Sequence, residues 1–245
     1  MDEPLADAGA LVTGASSGIG AATARRLAAD GASVAVAARR EGRLADLVEA
    51  VEADGGEAVA VPTDVTDEDA VAALVDTAAE RFGGLDVVVS NAGLGRDDAV
   101  EDLSTDDYRA MMDVNVDGTF YLARAAVPHL RRAGGTFVVV GSFAGHYPRP
   151  FNPVYAATKW WVRGFAHSLA GSVGEDGVAV SVVNPSEVRT EFGDEDGDAF
   201  EERYGPGEVT EPDEVADAIA FAARQESPTA VSELDLFRRD KYADF

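Results

Sequence analysis

Tyr155-Ala-Ala-Thr-Lys159 sets a phenol and an ammonium four residues apart. On a helix that spacing puts both side chains on one face, one turn apart. A cation close to a phenol favours the phenolate, so the spacing predicts that Lys159 lowers the Tyr155 pKa. A tyrosine tuned in this way gives or takes a proton near neutral pH, which one at about 10 does poorly. Lysine is scarce in this chain: Lys159 and Lys241 stand against eighteen arginines. Ser142 lies thirteen residues upstream, just past the apolar run Thr136–Val140, where it ends a predicted strand. Taken alone, Tyr-x-x-x-Lys is common enough to be a surface accident. The rest of the chain decides.

Such a group needs a scaffold, and β-prone apolar runs alternate with amphipathic stretches throughout. Strands are predicted at Ala10–Thr13, Ser33–Ala38, Ala58–Pro62, Leu85–Ser90, Thr136–Val140 and Val178–Val183, with a short last one near Glu233–Phe237. Helices are predicted at Ile19–Asp30, Gly42–Asp54, Glu68–Phe82, Ser104–Arg132, Val154–Gly171 and Pro212–Arg224. Strands separated by helices imply right-handed crossovers and a parallel sheet covered on both faces. With no repeat or linker, residues 1–245 read as one α/β domain, a Rossmann-type doubly wound parallel sheet. Its stretch at about 191–207, rich in Gly, Asp and Glu, is expected to be a mobile acidic flap over the substrate.

The first strand runs into Thr13-Gly14-Ala15-Ser16-Ser17-Gly18-Ile19-Gly20 and then a helix. Glycines there let the chain turn tightly and let a pyrophosphate reach the helix N-terminus, whose free N–H groups and dipole favour anions. The spacing is G-x-x-x-G-x-G, not the commoner G-x-G-x-x-G. Ala38-Arg39-Arg40 follows the second strand, where an acid would accept hydrogen bonds from a ribose and favour NAD. Arg39 and Arg40 instead suit a 2′-phosphate, and therefore NADP(H) over NAD(H). Asp64-Val65 follows the third strand, where either an adenine edge is read or Asp64 serves the turn before the next helix.

Composition bounds the rest. The formal net charge is −25, from 45 acids against 20 bases, and hydrophobic residues make up 46%. A surface so acidic repels nucleic acid and anionic membranes. The acids are spread along the chain rather than gathered in a tail, and with lysine nearly absent the composition resembles that of proteins from salt-accumulating cells. There is no cysteine, and His129, His146 and His167 are too scattered to suggest a metal site. No run of about 18 apolar residues occurs, so the expected product is cytoplasmic, neither secreted nor membrane-spanning.

Taken together these residues resemble the classical short-chain dehydrogenase/reductase family, from about Ala8 to Phe192. Thr13-Gly14-x-x-x-Gly18-Ile19-Gly20 matches its cofactor motif. Ser90-Asn91-Ala92-Gly93 is similar to its N-N-A-G, with serine in the first place. Asn115, Ser142, Tyr155 and Lys159 match its catalytic tetrad, and Asn184-Pro185-Ser186-Glu187-Val188-Arg189-Thr190 its N-P-G-x-V-x-T segment beside the nicotinamide. The resemblance implies that Tyr155 exchanges a proton with the substrate oxygen, that Ser142 hydrogen-bonds that oxygen, and that Lys159 holds the nicotinamide ribose. It further implies that Asn115 holds a water linking Lys159 to solvent, and that Pro185, Ser186, Val188 and Thr190 line the cofactor site. Ser90 and Ser186 depart from the pattern. The first is expected to loosen packing under the cofactor, the second to stiffen the backbone beside the nicotinamide.

Between Ser142 and Tyr155, three aromatics and three prolines predict a stiff apolar wall that includes Phe143. Arg149 on that wall either grips a substrate carboxylate or pairs with a surface acid. Val154–Arg163 and Thr190-Glu191-Phe192 are similar to a subgroup oxidising serine and related 3-hydroxy acids with NADP. The expected activity is hydride transfer between nicotinamide and a small carbonyl or alcohol. Epimerisation or dehydration on the same fold, and a non-enzymatic NADP-binding regulator, are the alternatives. Relatives pair through the helices matching Ser104–Arg132 and Val154–Gly171, which implies a homodimer or homotetramer.

Overall fold

The protein is described by a computed structural model covering residues 3–97, 99–193 and 199–242. In chain order the strands are β1 (Gly9–Thr13), β2 (Ser33–Ala38), β3 (Glu57–Pro62), β4 (Val87–Ser90), β5 (Thr136–Val140), β6 (Ala179–Pro185) and β7 (Glu233–Leu236). The helices are α1 (Gly18–Ala29), α2 (Glu41–Ala53), α3 (Glu68–Phe82), α4 (Thr105–Met112), α5 (Gly118–Ala133), α6 (Pro153–Val173), α7 (Phe200–Arg203) and α8 (Pro212–Ala223). All pairings are parallel, and the sheet order is β3-β2-β1-β4-β5-β6-β7.

β1, β4 and β5 are buried along their whole length, which is why they read as unbroken apolar runs rather than alternating ones. Successive side chains leave a strand on opposite faces, so Leu11 and Val12 of β1 enter different cores. On Val12's side pack α1, α2 and α8 through Leu27, Leu44, Leu47 and Ile219. On Leu11's side pack α3, α5 and α6 through Leu74, Leu122, Leu130 and Val162. Each large aliphatic side chain so buried stabilises the fold by roughly 1.5–3 kcal/mol.

The expected elements recur with ends shifted by a residue or two, apart from the stretch Ser104–Arg132. It is two helices, α4 and α5, joined by a π-helical segment, Asp113–Asp117, that centres on Asn115. Ser104 starts it, accepting the Asp107 N–H at 3.0 Å. Of the acidic segment 191–207, residues 194–198 lie outside the described residues, and the described part contains α7. Among the described residues no helix is long and apolar enough to cross a membrane.

β1 sits between β2 and β4, so the winding reverses direction at its C-terminal end. A crevice opens at such a switch point, and ligands of doubly wound sheets bind there.

Candidate active site

The crevice is built first by the turn after β1. Gly14 and Gly18 adopt φ of 66° and 52°, in the left-handed region that other residues avoid. Space forbids side chains as well: a Cβ on Gly14 would lie 2.8 Å from the Ala92 Cα, and one on Gly18 2.9 Å from the Thr190 Cγ2. Asn91 braces the turn, its amide donating to the Thr13 carbonyl at 2.9 Å and the Gly14 carbonyl at 3.2 Å. Ser17 precedes α1 but does not cap it; its hydroxyl instead accepts from Arg40 at 2.7 Å. The first N–H groups of α1 therefore keep their capacity for an anion.

One cavity of about 650 Å³ runs from this turn to the ends of β5 and β6. Every site residue expected from the sequence lines it except Gly20 and Asn115. Gly20 packs behind the turn, against the Gly14 carbonyl. At the β2 end, Arg39 is exposed and its guanidinium has no partner among the described residues. Arg40 is held on three sides, donating to Ser16 Oγ at 3.0 Å, Ser17 Oγ at 2.7 Å and Glu191 Oε2 at 2.9 Å. Arg43 also bonds Glu191; that bond above all, and then Arg40's, holds the Glu191 carboxyl below the usual carboxylate range. Asp64 accepts both the N–H and the hydroxyl of Thr66, so it shapes the turn while it also faces the cavity.

Ser142, Tyr155 and Lys159 meet at the other end. Lys159 Nζ donates to the Val140 carbonyl at 3.0 Å and lies 5.8 Å from the centre of the Tyr155 ring. Burial lowers its pKa to about 8. Burial likewise pushes Tyr155 up to about 12; a hydrogen bond with Ser142 pulls it down, Asp97 pushes it up and Arg149 pulls it down. The expectation that Lys159 lowers the tyrosine pKa is thus corrected. The ammonium is directed at a backbone carbonyl, and loss of solvent dominates both groups.

Asn115 is 1% exposed and stands behind the cavity wall. Its Oδ1 accepts the Leu94 N–H at 2.9 Å, and its amide donates to the Leu94 carbonyl at 2.8 Å and Thr158 Oγ1 at 3.0 Å. A side chain so occupied ties the loop after β4 to α6. The π-helical turn is what aims it there.

The two departures are accommodated. Ser90 Oγ donates to Thr119 Oγ1 at 3.3 Å, filling the polar contact under the loop. Ser186 does not take a positive φ; its N–H reaches the Leu236 carbonyl and its hydroxyl accepts the Arg238 N–H, which fixes it to β7 and the segment beyond.

On the cavity wall between Ser142 and Tyr155, the Arg149 guanidinium lies 4.6 Å from the Phe151 ring centre and 5.4 Å from that of Phe143. No carboxylate pairs with it among the described residues. Phe192 packs on the Tyr155 ring at 5.8 Å, Asn152 donates to Asp97 at 2.7 Å, and Lys241 sits 4.6 Å from the Phe143 ring centre. Sequence reading missed Asp97 and Lys241 as cavity residues, whereas Glu191 and Phe192 line the cavity at the start of the segment expected to form a flap over the substrate. Only Lys241 carried a signal: both lysines of a lysine-poor chain line this one cavity.

Known proteins resemble this chain over nearly its whole length. The sequence profile of the short chain dehydrogenase family matches residues 8–199. An uncharacterized oxidoreductase of Staphylococcus aureus is 34% identical over 233 residues, 94% of this chain and 96% of that protein. The trans-4-hydroxycyclohexanecarboxylate dehydrogenase of Sinomonas cyclohexanicum is 34% identical over 236 residues, 93% of this chain and 90% of its own length. A short chain dehydrogenase of Burkholderia cenocepacia, solved in complex with NADP, is 37% identical with a TM-score of 0.86, covering 96% of this chain and 98% of that one. On these matches this chain belongs to the short-chain dehydrogenase/reductase family of NAD(P)-dependent oxidoreductases.

Proposed function

We propose that the protein transfers hydride between NADP(H) and a small ketone or secondary alcohol, with Tyr155 as the proton-exchanging group. The observation that carries this is one continuous cavity with an arginine pair at its β2 end and Ser142, Tyr155 and Lys159 at the other. The glycine turn leaves room for a pyrophosphate against α1, and Arg39, Ser16 and Ser17 supply donors of the kind a 2′-phosphate accepts. Bound nicotinamide supplies or receives the hydride. Tyr155, protonated at neutral pH, hands its proton to the carbonyl oxygen in reduction. The Ser142 hydroxyl donates to the same oxygen and stabilises charge growing there. Lys159 holds ribose hydroxyls and keeps a positive charge near the phenol, while Asn115 fixes the loop that shapes this end.

Arg149 favours a substrate with a carboxylate, as in a 3-hydroxy acid. The Arg149 guanidinium lines the cavity wall, and among the described residues no carboxylate pairs with it. The relative named for a hydroxycyclohexanecarboxylate supports the same reading. Two further readings go with it. The exposed rings of Phe120 and Trp161, joined through Phe165, form an aromatic patch across α5 and α6 suited to a homodimer. The acid excess suits a salt-rich interior.

The test is NADPH consumption with oxo acids and uncharged ketones in high salt, on wild type and Tyr155→Phe. The variant keeps the ring and loses the proton, so turnover falls by about 100-fold or more while NADPH still binds. Near-normal turnover in the variant refutes the assignment, and a preference for uncharged ketones refutes the carboxylate.

A further inference from the structure

Glu191 occupies a place that the chemistry of hydride transfer does not explain. It belongs to the segment that follows β6, yet it reaches across the mouth of the cavity to Arg40 and Arg43, near the start of α2. Its side chain is 29% exposed, so these are partly sheltered ion pairs. Its two oxygens meet two guanidinium groups, and Arg40 also touches both serines of the dinucleotide turn. Carboxylate and phosphate are the two anions that a guanidinium grips in the same forked way.

The neighbours of Glu191 extend the connection. Thr190 rests on Gly18, the glycine of the turn. Phe192 lies on the Tyr155 ring, and its N–H is held by Thr190 Oγ1 at 3.2 Å. Three consecutive residues thus touch the pyrophosphate turn, the arginine end and the proton donor.

We infer that Glu191 is a resident stand-in for the 2′-phosphate of NADP(H): it holds Arg40 and Arg43 until the phosphate displaces it, and this displacement frees Phe192 from Tyr155. The inference rests on the NADP reading above and adds to it. Glu191 opposes NADP(H) directly, through its negative charge and by occupying Arg40. NAD(H), which has no 2′-phosphate, leaves the ion pairs in place and Phe192 over the tyrosine. Glu191 is in this way a specificity-determining residue, and it couples the choice of cofactor to access at the substrate end.

The experiment measures dissociation constants of NADPH, NADH, adenosine 2′,5′-bisphosphate and 5′-AMP for wild type and Glu191→Gln. Hydrogen exchange of the Thr190–Phe192 stretch is followed alongside. The amide keeps the size of the side chain and removes its charge. Removing one partly sheltered ion-pair set predicts NADPH and the bisphosphate binding about three- to tenfold tighter, with NADH and 5′-AMP unchanged. In wild type the bisphosphate speeds exchange at Thr190–Phe192 and 5′-AMP does not; in Glu191→Gln exchange is fast from the start. If wild type prefers NADPH and the variant binds it no tighter, or more weakly, the inference is overturned and the NADP reading stands. If exchange does not respond to the bisphosphate, the coupling to Tyr155 is overturned. If wild type and variant both bind NADPH and NADH equally, the NADP reading and the inference fall together.

Discussion

The Lys159 ammonium is held in a place that costs stability. Its pKa falls from 10.5 to about 8 because burial removes the water that solvates its charge. The folded state therefore binds this proton less tightly than the unfolded chain does. The cost is complete below about pH 8, shrinks as pH rises and is gone above about 10.5. At about 1.4 kcal/mol per unit the full cost is about 3 kcal/mol, and losing the bond to the Val140 carbonyl returns about 1 kcal/mol of it. Lys159→Met is accordingly expected to be inactive and about 2 kcal/mol more stable at neutral pH, with the advantage gone in strongly alkaline buffer. Denaturant melts of both proteins at a series of pH values decide it, and a less stable variant at neutral pH would falsify the burial account. Ser142, Tyr155 and Lys159 were singled out in the sequence because they fall on the motifs of the family the chain resembles, and the structure brings all three to one end of the cavity. The pairing of Glu191 was not legible, since the arginine it meets lies 151 residues away and only the fold brings them together.

Elements were legible in proportion to how fully local pattern determines them. β1, β4 and β5 declare themselves because burial on both faces demands unbroken apolar residues. The helix stretch after β4 does not, since its π-helical turn answers the need to aim Asn115 at Leu94 and Thr158, and helical periodicity carries no trace of that. The apolar pattern also marks faces that one chain does not cover. Phe120 is 40% and Trp161 37% exposed, with Trp161 stacked on Phe165 at 4.8 Å and Phe120 meeting Phe165 edge-on at 6.5 Å. A contiguous aromatic surface on two neighbouring helices suits an isologous contact, in which each copy offers the same patch. Trp161→Glu puts a like charge against itself across the two-fold axis. It is expected to convert a dimer to a monomer in light scattering at fixed high salt, with the thermal melt still cooperative. A wild type that is already monomeric, or a variant of unchanged mass, refutes the proposed contact.

At the scale of the whole molecule the charge outweighs any single ion pair. Several arginines are paired, among them Arg26, Arg81, Arg131 and Arg224, yet 45 acids face 20 bases and the excess has no cation to meet. Salt acts on both populations in opposite senses. It weakens exposed pairs, each worth about 0–1 kcal/mol, and it relieves repulsion summed over the net charge. With a net charge of −25 the second effect is the larger. The Debye length is about 10 Å at 0.1 M and about 3 Å at 1 M, so neighbouring carboxylates interact at the lower concentration and scarcely at the higher. Tm should therefore climb by several degrees between about 0.1 M and about 1 M KCl and more gently beyond, because a change of 1 kcal/mol shifts Tm by about 2–4 °C in a chain of this size. Salting-out has another signature, since it keeps strengthening with concentration where screening levels off. A flat or falling Tm over the first interval removes the reading of the acidic surface as an adaptation to salt. It leaves the proposed Tyr155 chemistry untouched, because that reading rests on the residues lining the cavity and not on the charge of the surface.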